Sequence, residues 1–395
     1  MDLPVEYVRL GLAFDRLQRG WVDAYTGPAA LRAEVENAPP PQPAELAARA
    51  RLLRGELDSS GLEASRAQFL AGQLAALETG ARVLAGADVG FVEQVESFFQ
   101  VQPVPGDVEA YALAHAELDL LLPGDGALLE RYAAYRDTVA VPVERLAEAV
   151  REVSSLLRER ARSAFPLPVE ETVDYQIVTG KPWSGFNDYR GGFRSTVSIN
   201  ADLPVGLGLL PALVAHESYP GHHTERCRKS ARLGGLPERD LWLVNTPENL
   251  IAEGLADLGL VGLGLTSWGA LLADLYADLG IGFDGELGEQ IARAAAPLTR
   301  VRQDVALLLH DRGGSVQEAE AHLARWALQS PGRTAKTVAF LTDPLWRAYI
   351  CTYVEGEALL SAWLDARPAG QPVSGRFVRL LDEPLTPAGL RASLV

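Results

Sequence analysis

The sequence predicts a mainly α-helical fold with one small β-sheet, and three observations carry that prediction. Apolar residues recur at helical spacing over most of the 395 residues. A single stretch, 193–200, alternates with a period of two, and clusters of proline and glycine cut the helical pattern into segments.

From residue 4 to about 165 the pattern is repeatedly helical. Tyr7, Leu10, Leu12, Phe14 and Leu17 begin it, and Leu62 to Leu84 and Val143 to Phe165 continue it. Breaks are expected at Asn37–Pro43, Pro103–Asp107 and Pro123–Gly126, where proline lacks an amide proton and glycine favours non-helical backbone. After Pro166 the composition changes. Thr172 to Val178 is β-branched and aromatic and reads as a strand, whereas Gly185 to Gly192 reads as a loop. Phe193, Ser195, Val197 and Ile199 alternate with Arg194, Thr196, Ser198 and Asn200, the signature of a strand with one buried face.

A helix is expected to open between Leu207 and Pro211, since proline is tolerated in a first turn. Further helices are expected at Pro247–Gly262 and near 266–282, 288–311, 315–328 and 334–365. The chain is long enough for two lobes, 1–165 and 166–395, or for one continuous two-lobed fold.

Charge and cysteine content narrow the function. Lys plus Arg number 36 against 52 Asp plus Glu, a net charge of -16, so a nucleic acid partner is not expected. Two cysteines, Cys227 and Cys351, do not make a disulfide framework. With no membrane-length apolar run and no basic, apolar leader at Met1–Tyr7, the expectation is a soluble cytoplasmic protein without a membrane partner.

Three of the six histidines fall within His216-Glu217-Ser218-Tyr219-Pro220-Gly221-His222-His223. Neutral imidazole is the commonest zinc ligand, and catalytic zinc keeps three protein ligands with a fourth position open. The familiar arrangement places two histidines four apart on one helical face, with a glutamate after the first to take a proton from water. Here position 220 is proline. In a regular helix His223 would return to the azimuth of His216 but about 10 Å further along the axis. If Pro220-Gly221 interrupts the helix and two residues bulge out, His222 returns to the face instead. His216 and His222 are therefore the expected ligands, with His223 as the alternate or as a substrate contact. Glu253, on the next helix, is the candidate third ligand. Asp257, four residues on and on the same face, can accept the second N–H of a ligating histidine. Glu217 is the candidate general base.

These residues resemble the bacterial metallopeptidase family grouped as domain of unknown function 885. Its hallmark, His-Glu-x-x-Pro-Gly-His, is matched at every fixed position by His216 to His222, and the second His that commonly follows is His223. Its Glu-Gly-Trp-Ala segment is matched by Glu253 to Ala256 except for Leu255 in place of Trp. Arg302 and His310 resemble an Arg and His eight apart in that family, with the acidic residue between them shifted to Asp304. Tyr353-Val354-Glu355-Gly356 resembles its Tyr-x-x-Gly. The likeness spans roughly residues 170–365 and extends more distantly to the glutamate-zincins. It implies a zincin-like helical fold with the small sheet beside the active-site helix, Zn2+ as cofactor, and Tyr353 as a transition-state donor. It also implies Arg302 and His310 as substrate or oxyanion contacts. In zincins an edge strand before the motif helix pairs with extended substrate, so the 193–200 strand, with Arg194 and Asn200, is the expected substrate edge. The resulting expectation is a zinc hydrolase of short peptides. A zinc hydrolase of another amide or ester, and a silent zinc-stabilised binding protein, are the alternatives.

Overall fold

The computed structural model describes residues 2–394 and is mainly helical, with strands only in two small sheets. The first helix, Leu3–Leu17, starts where the Asp2 side chain accepts from the Val5 amide and Pro4 occupies the first turn. The expected breaks fall between helices: Ala29–Asn37 and Pro43–Gly55, Phe91–Phe99 and Val108–Leu121, then Leu128–Thr138. Val143–Ala164 is one long amphipathic helix whose buried face, Leu146, Val150, Val153 and Leu157, looks onto the sheet region.

The three-stranded sheet comprises β2 (Thr172–Val178), β3 (Gly185–Gly191) and β4 (Arg194–Asn200) in the order β2-β4-β3; β2 runs parallel and β3 antiparallel to β4. Two expectations are corrected here. The segment read as a loop is a strand, because β4 offers it a complete hydrogen-bonding edge and it buries Asn187 and Tyr189. Its Gly, Asn and Asp residues hid that pairing from propensity. The 193–200 strand is central, so the edges of this sheet are β2 and β3, and β3 is the edge on the side of the histidine motif. Gly191, Gly192 and Phe193 all have positive φ (75°, 58° and 63°), which makes the reversal between β3 and β4.

A second sheet pairs β1 (Val22–Tyr25) antiparallel with β5 (Leu241–Leu243), tying the start of the chain to the segment after the histidine motif. Nothing in the sequence pattern announced it. Two long expected helices are also divided. The 334–365 span becomes Pro331–Thr342 and Ile350–Asp365, because Pro344 forces Asp343 into extended backbone (ψ 129°) and the Asp343 carboxylate caps the Leu345 amide. The 288–311 span narrows to a 3-10 turn, Ala296–Arg300, around Pro297.

Two large apolar clusters form the core, and both straddle residue 165. One joins Leu3, Tyr7, Phe69 and Leu74 to Leu250, Leu255, Trp363 and Phe377. The other joins Val150, Val153 and Leu157 to Val197, Leu210, Val214 and Tyr276. Among the described residues no helix is long and apolar enough to cross a membrane.

Candidate metal centre

The first motif helix, Leu210–Glu217, carries His216 and Glu217 and stops at Ser218, whose backbone turns away (φ -133°, ψ -77°). The next, His222–Leu233, begins immediately after Gly221. Between them the chain folds back on the end of the first helix: the Gly221 amide donates to the Ala215 carbonyl at 2.8 Å and the Thr224 amide to the Ser218 carbonyl at 3.1 Å. A Cβ on Gly221 would lie 2.0 Å from the His216 carbonyl oxygen, so only glycine permits this return. The excursion of Ser218 to Gly221 brings the His222 ring against that of His216, centroids 4.7 Å apart.

Glu253, on the Pro247–Asp257 helix, completes a triangle. His216 Nε2 and His222 Nε2 are 3.1 Å apart, His216 Nε2 is 3.3 Å from Glu253 Oε2, and His222 Nε2 is 3.3 Å from Glu253 Oε1. Ligands held about 2.0–2.1 Å from a tetrahedral zinc stand roughly 3.3 Å from each other, so the donor set fits one such ion. Glu253 Oε2 is buried without a hydrogen-bond partner, as an atom reserved for an ion would be. Among the described residues, these three are the His, Cys, Asp and Glu side chains close enough together to share a metal.

Their surroundings orient them. Asp257 Oδ1 lies 2.8 Å from His216 Nδ1, which fixes the proton on that nitrogen and leaves Nε2 free to ligate. The Tyr349 hydroxyl donates to Glu253 Oε1 at 2.6 Å and accepts from the Asn249 amide. Burial alone would push the Glu253 carboxyl up, but the two imidazoles reverse this and hold it well below the usual carboxylate range. Burial likewise opposes charge on His216, yet Asp257 and Glu253 together hold its pKa well above the ordinary value; Glu253 does the same for His222 more weakly.

Glu217 is 5% exposed, and burial raises its pKa, the imidazoles of His216 and His222 opposing while Glu253 and Asp23 add to the rise. β3 begins directly beside it: a Cβ on Gly185 would fall 2.5 Å from Glu217 Oε1. Asn187, on β3, donates to the Glu217 carbonyl at 2.6 Å. A cavity of about 70 Å³ is lined by Glu217, the three candidate ligands, Asp23, Gly185 to Asn187 and the aromatic side chains of Trp183, Phe340, Trp346, Tyr349 and Tyr353.

The remaining expected residues are distributed unequally. Tyr353 lies at the cavity, its ring centroid 6.2 Å from that of His216. Arg302 stands behind it, its guanidinium carbon 5.8 Å from the Tyr353 ring centroid, and is not in the cavity wall. Asn200 is one step removed, donating at 2.8 Å to the Lys181 and Trp183 carbonyls and so holding the approach to β3. His310 lies elsewhere, its Nε2 2.6 Å from the Leu341 carbonyl and its ring against Phe91. His223 points away from the triangle: it is fully buried between Ser195 Oγ (2.8 Å) and Glu171 Oε2 (3.0 Å). The latter carboxylate also accepts from Tyr219, Arg158 and Arg162. Sequence reasoning missed Tyr349, Asp23 and Glu171. Tyr349 could have been found, being four residues before Tyr353. Asp23 and Glu171 carried no local signal.

No family model matches the chain, and no curated protein matches its sequence. The motif resemblance therefore stands on the motif residues themselves. Among solved structures, one described as a candidate lipoprotein of unknown function from Shewanella oneidensis matches with a TM-score of 0.53 and 12% identity, over 100% of this chain and 82% of that one. The likeness is one of fold. An M32 carboxypeptidase from Deinococcus radiodurans R1 aligns at a TM-score of 0.39 and 11% identity, over 96% and 88% of the two chains.

Proposed function

We propose that this protein is a zinc-dependent hydrolase that cleaves short peptides. The observation that carries the reading is the placing of two imidazole nitrogens 3.1 Å apart, each 3.3 Å from a different oxygen of the Glu253 carboxylate, in one cavity with a buried glutamate that no ion pair consumes. His216, His222 and Glu253 would hold the ion, which when bound supplies a Lewis acid and lowers the pKa of water. Glu217 takes a proton from the attacking water and passes it to the leaving amine. Tyr353 is the donor available to a developing oxyanion. The free edge of β3, which runs along the cavity from Gly185 to Asn187, pairs with extended substrate backbone.

The test is metal content and peptide hydrolysis of the purified protein beside Glu217→Gln and His216→Ala. The expected result is about one zinc per chain in wild type and Glu217→Gln, loss of zinc in His216→Ala, and hydrolysis abolished in both variants. Wild type that holds no zinc under zinc-retaining conditions overturns the reading. The small cavity favours a second one, a compact amide or ester as substrate, since established ligand sites run to several hundred Å³. Parallel screens of peptides and small acyl compounds separate the two.

A further inference from the structure

We propose that Asp23 recognises a positively charged group of the substrate, with Arg226 as its positioning residue; this rests on the hydrolase reading above. The ligand chemistry is an ammonium, supplied by a peptide amino terminus or a lysine side chain.

The backbone puts Asp23 where it can do this. β1 and β5 pair Val22 with Leu243 and Ala24 with Trp242, and the register breaks between them, leaving Asp23 without a ladder partner. Such a bulge re-aims one side chain out of the alternating pattern. Asp23 lines the cavity that holds Glu217 and the three candidate ligands. It also lines a wider neighbouring groove of about 410 Å³, whose charged walls are Asp15, Asp188, Arg32 and Arg190, and it is the residue the two spaces share. A substrate that occupies both spaces meets Asp23 between them.

Arg226 lies one helical turn after His222 and is 5% exposed. Its Nη2 donates to Asp23 Oδ2, and its guanidinium carbon sits 4.6 Å from the ring centroid of Trp242. Nη1 is enclosed and has no hydrogen-bond partner. Arg226 also lines the cavity, but its guanidinium lies on the indole face and donates to Asp23, which suits it to fix the carboxylate. Asp23 keeps Oδ1. That oxygen makes no hydrogen bond and is not enclosed, and the side chain is 17% exposed. An accessible carboxylate oxygen where the two spaces meet, in a chain of net charge -16, attracts a cation and repels a carboxylate.

The experiment uses the zinc-loaded full chain and a random five-residue peptide library lacking arginine, in four forms: amines free, α-amines acetylated, lysine amines acetylated, and both acetylated. Cleavage is read by mass spectrometry for wild type, and binding of the same four pools by calorimetry on Glu217→Gln. One amine-bearing pool is expected to be preferred over the doubly acetylated pool by roughly 10- to 100-fold in kcat/KM or Kd, and which single acetylation removes the preference identifies the source. Asp23→Asn is expected to erase the preference at unchanged zinc content, read within the variant as the ratio of each amine-bearing pool to the doubly acetylated one, and Asp23→Glu to restore part of it. If Asp23→Asn fails to fold because Arg226 is left unpaired, Asp23→Asn combined with Arg226→Gln repeats the comparison. Cleavage with no amine preference overturns the proposal and leaves the hydrolase reading standing. Amine-dependent binding without cleavage does the reverse, and neither cleavage nor binding overturns both.

Discussion

At the scale of single residues, the centre is a set of donors whose partners decide their direction. Glu253 and Asp257 were legible because helical spacing sets their common face, and His216 and His222 because Pro220-Gly221 announces the break that brings them together. His223 was not, because the groups that turn it away, Ser195 and Glu171, come from the sheet region and its approach. Glu171 is the hub of that brace, fully buried among His223, Tyr219, Arg158 and Arg162, and although burial opposes its charge these partners lower its pKa to about 2. A folded pKa below the unfolded one adds stability that is present above pH 4.5 and is lost as pH falls from there toward 2. Glu171→Gln is expected to cost roughly 3 kcal/mol at neutral pH. The gap from wild type should narrow as pH falls through that window, as denaturant titrations at pH 7 and pH 3 would read. An equal gap at both would show that Glu171 contributes through packing alone.

At the scale of elements, two helices set the distance between a candidate metal ligand and a phenol. The 247–257 helix carries Glu253, the 350–365 helix carries Tyr353, and they cross at Gly254 and Gly356. A Cβ on Gly254 would lie 2.6 Å from the Gly356 carbonyl carbon and oxygen, and backbone cannot move aside as a flexible side chain would. Gly254→Ala is expected to cost about 1–3 kcal/mol and to weaken zinc binding, measured by thermal melts and competition with a chelator. Unchanged zinc affinity would mean that Glu253 is held by Tyr349 without help from the crossing. The helices themselves were readable from periodicity, and β4 from alternation. β3 was not, since a strand rich in Gly, Asn and Asp forms only because its partner supplies the edge. The turn at 343–349 was written in Asp343-Pro344 but was masked by apolar periodicity on both sides.

At the scale of the whole molecule, the apolar clusters bind both ends of the chain into one body. Leu3 and Tyr7 share a cluster with Leu250 and Leu255, and β1 lies on β5. Composition located the change near residue 166, but it could not say what packs against what, since such contacts join residues more than two hundred positions apart. Residues 166–395 expressed alone are therefore expected to lack a cooperative thermal transition by circular dichroism, the exposed faces of the 247–257 helix having lost their cover. A sharp transition in that fragment would make it an independent folding unit.

The crossing of the two glycines also has a bearing on synthesis. The ribosome finishes every candidate metal ligand by Glu253, yet Tyr349, Tyr353 and Gly356 follow only about a hundred residues later. During that interval a nascent chain has its full complement of ligands while lacking the phenols and the helix that clamps them. Competence for hydrolysis would then wait on residues 349–356, and a chain released before residue 349 would carry the candidate ligands without the phenols that stand beside them.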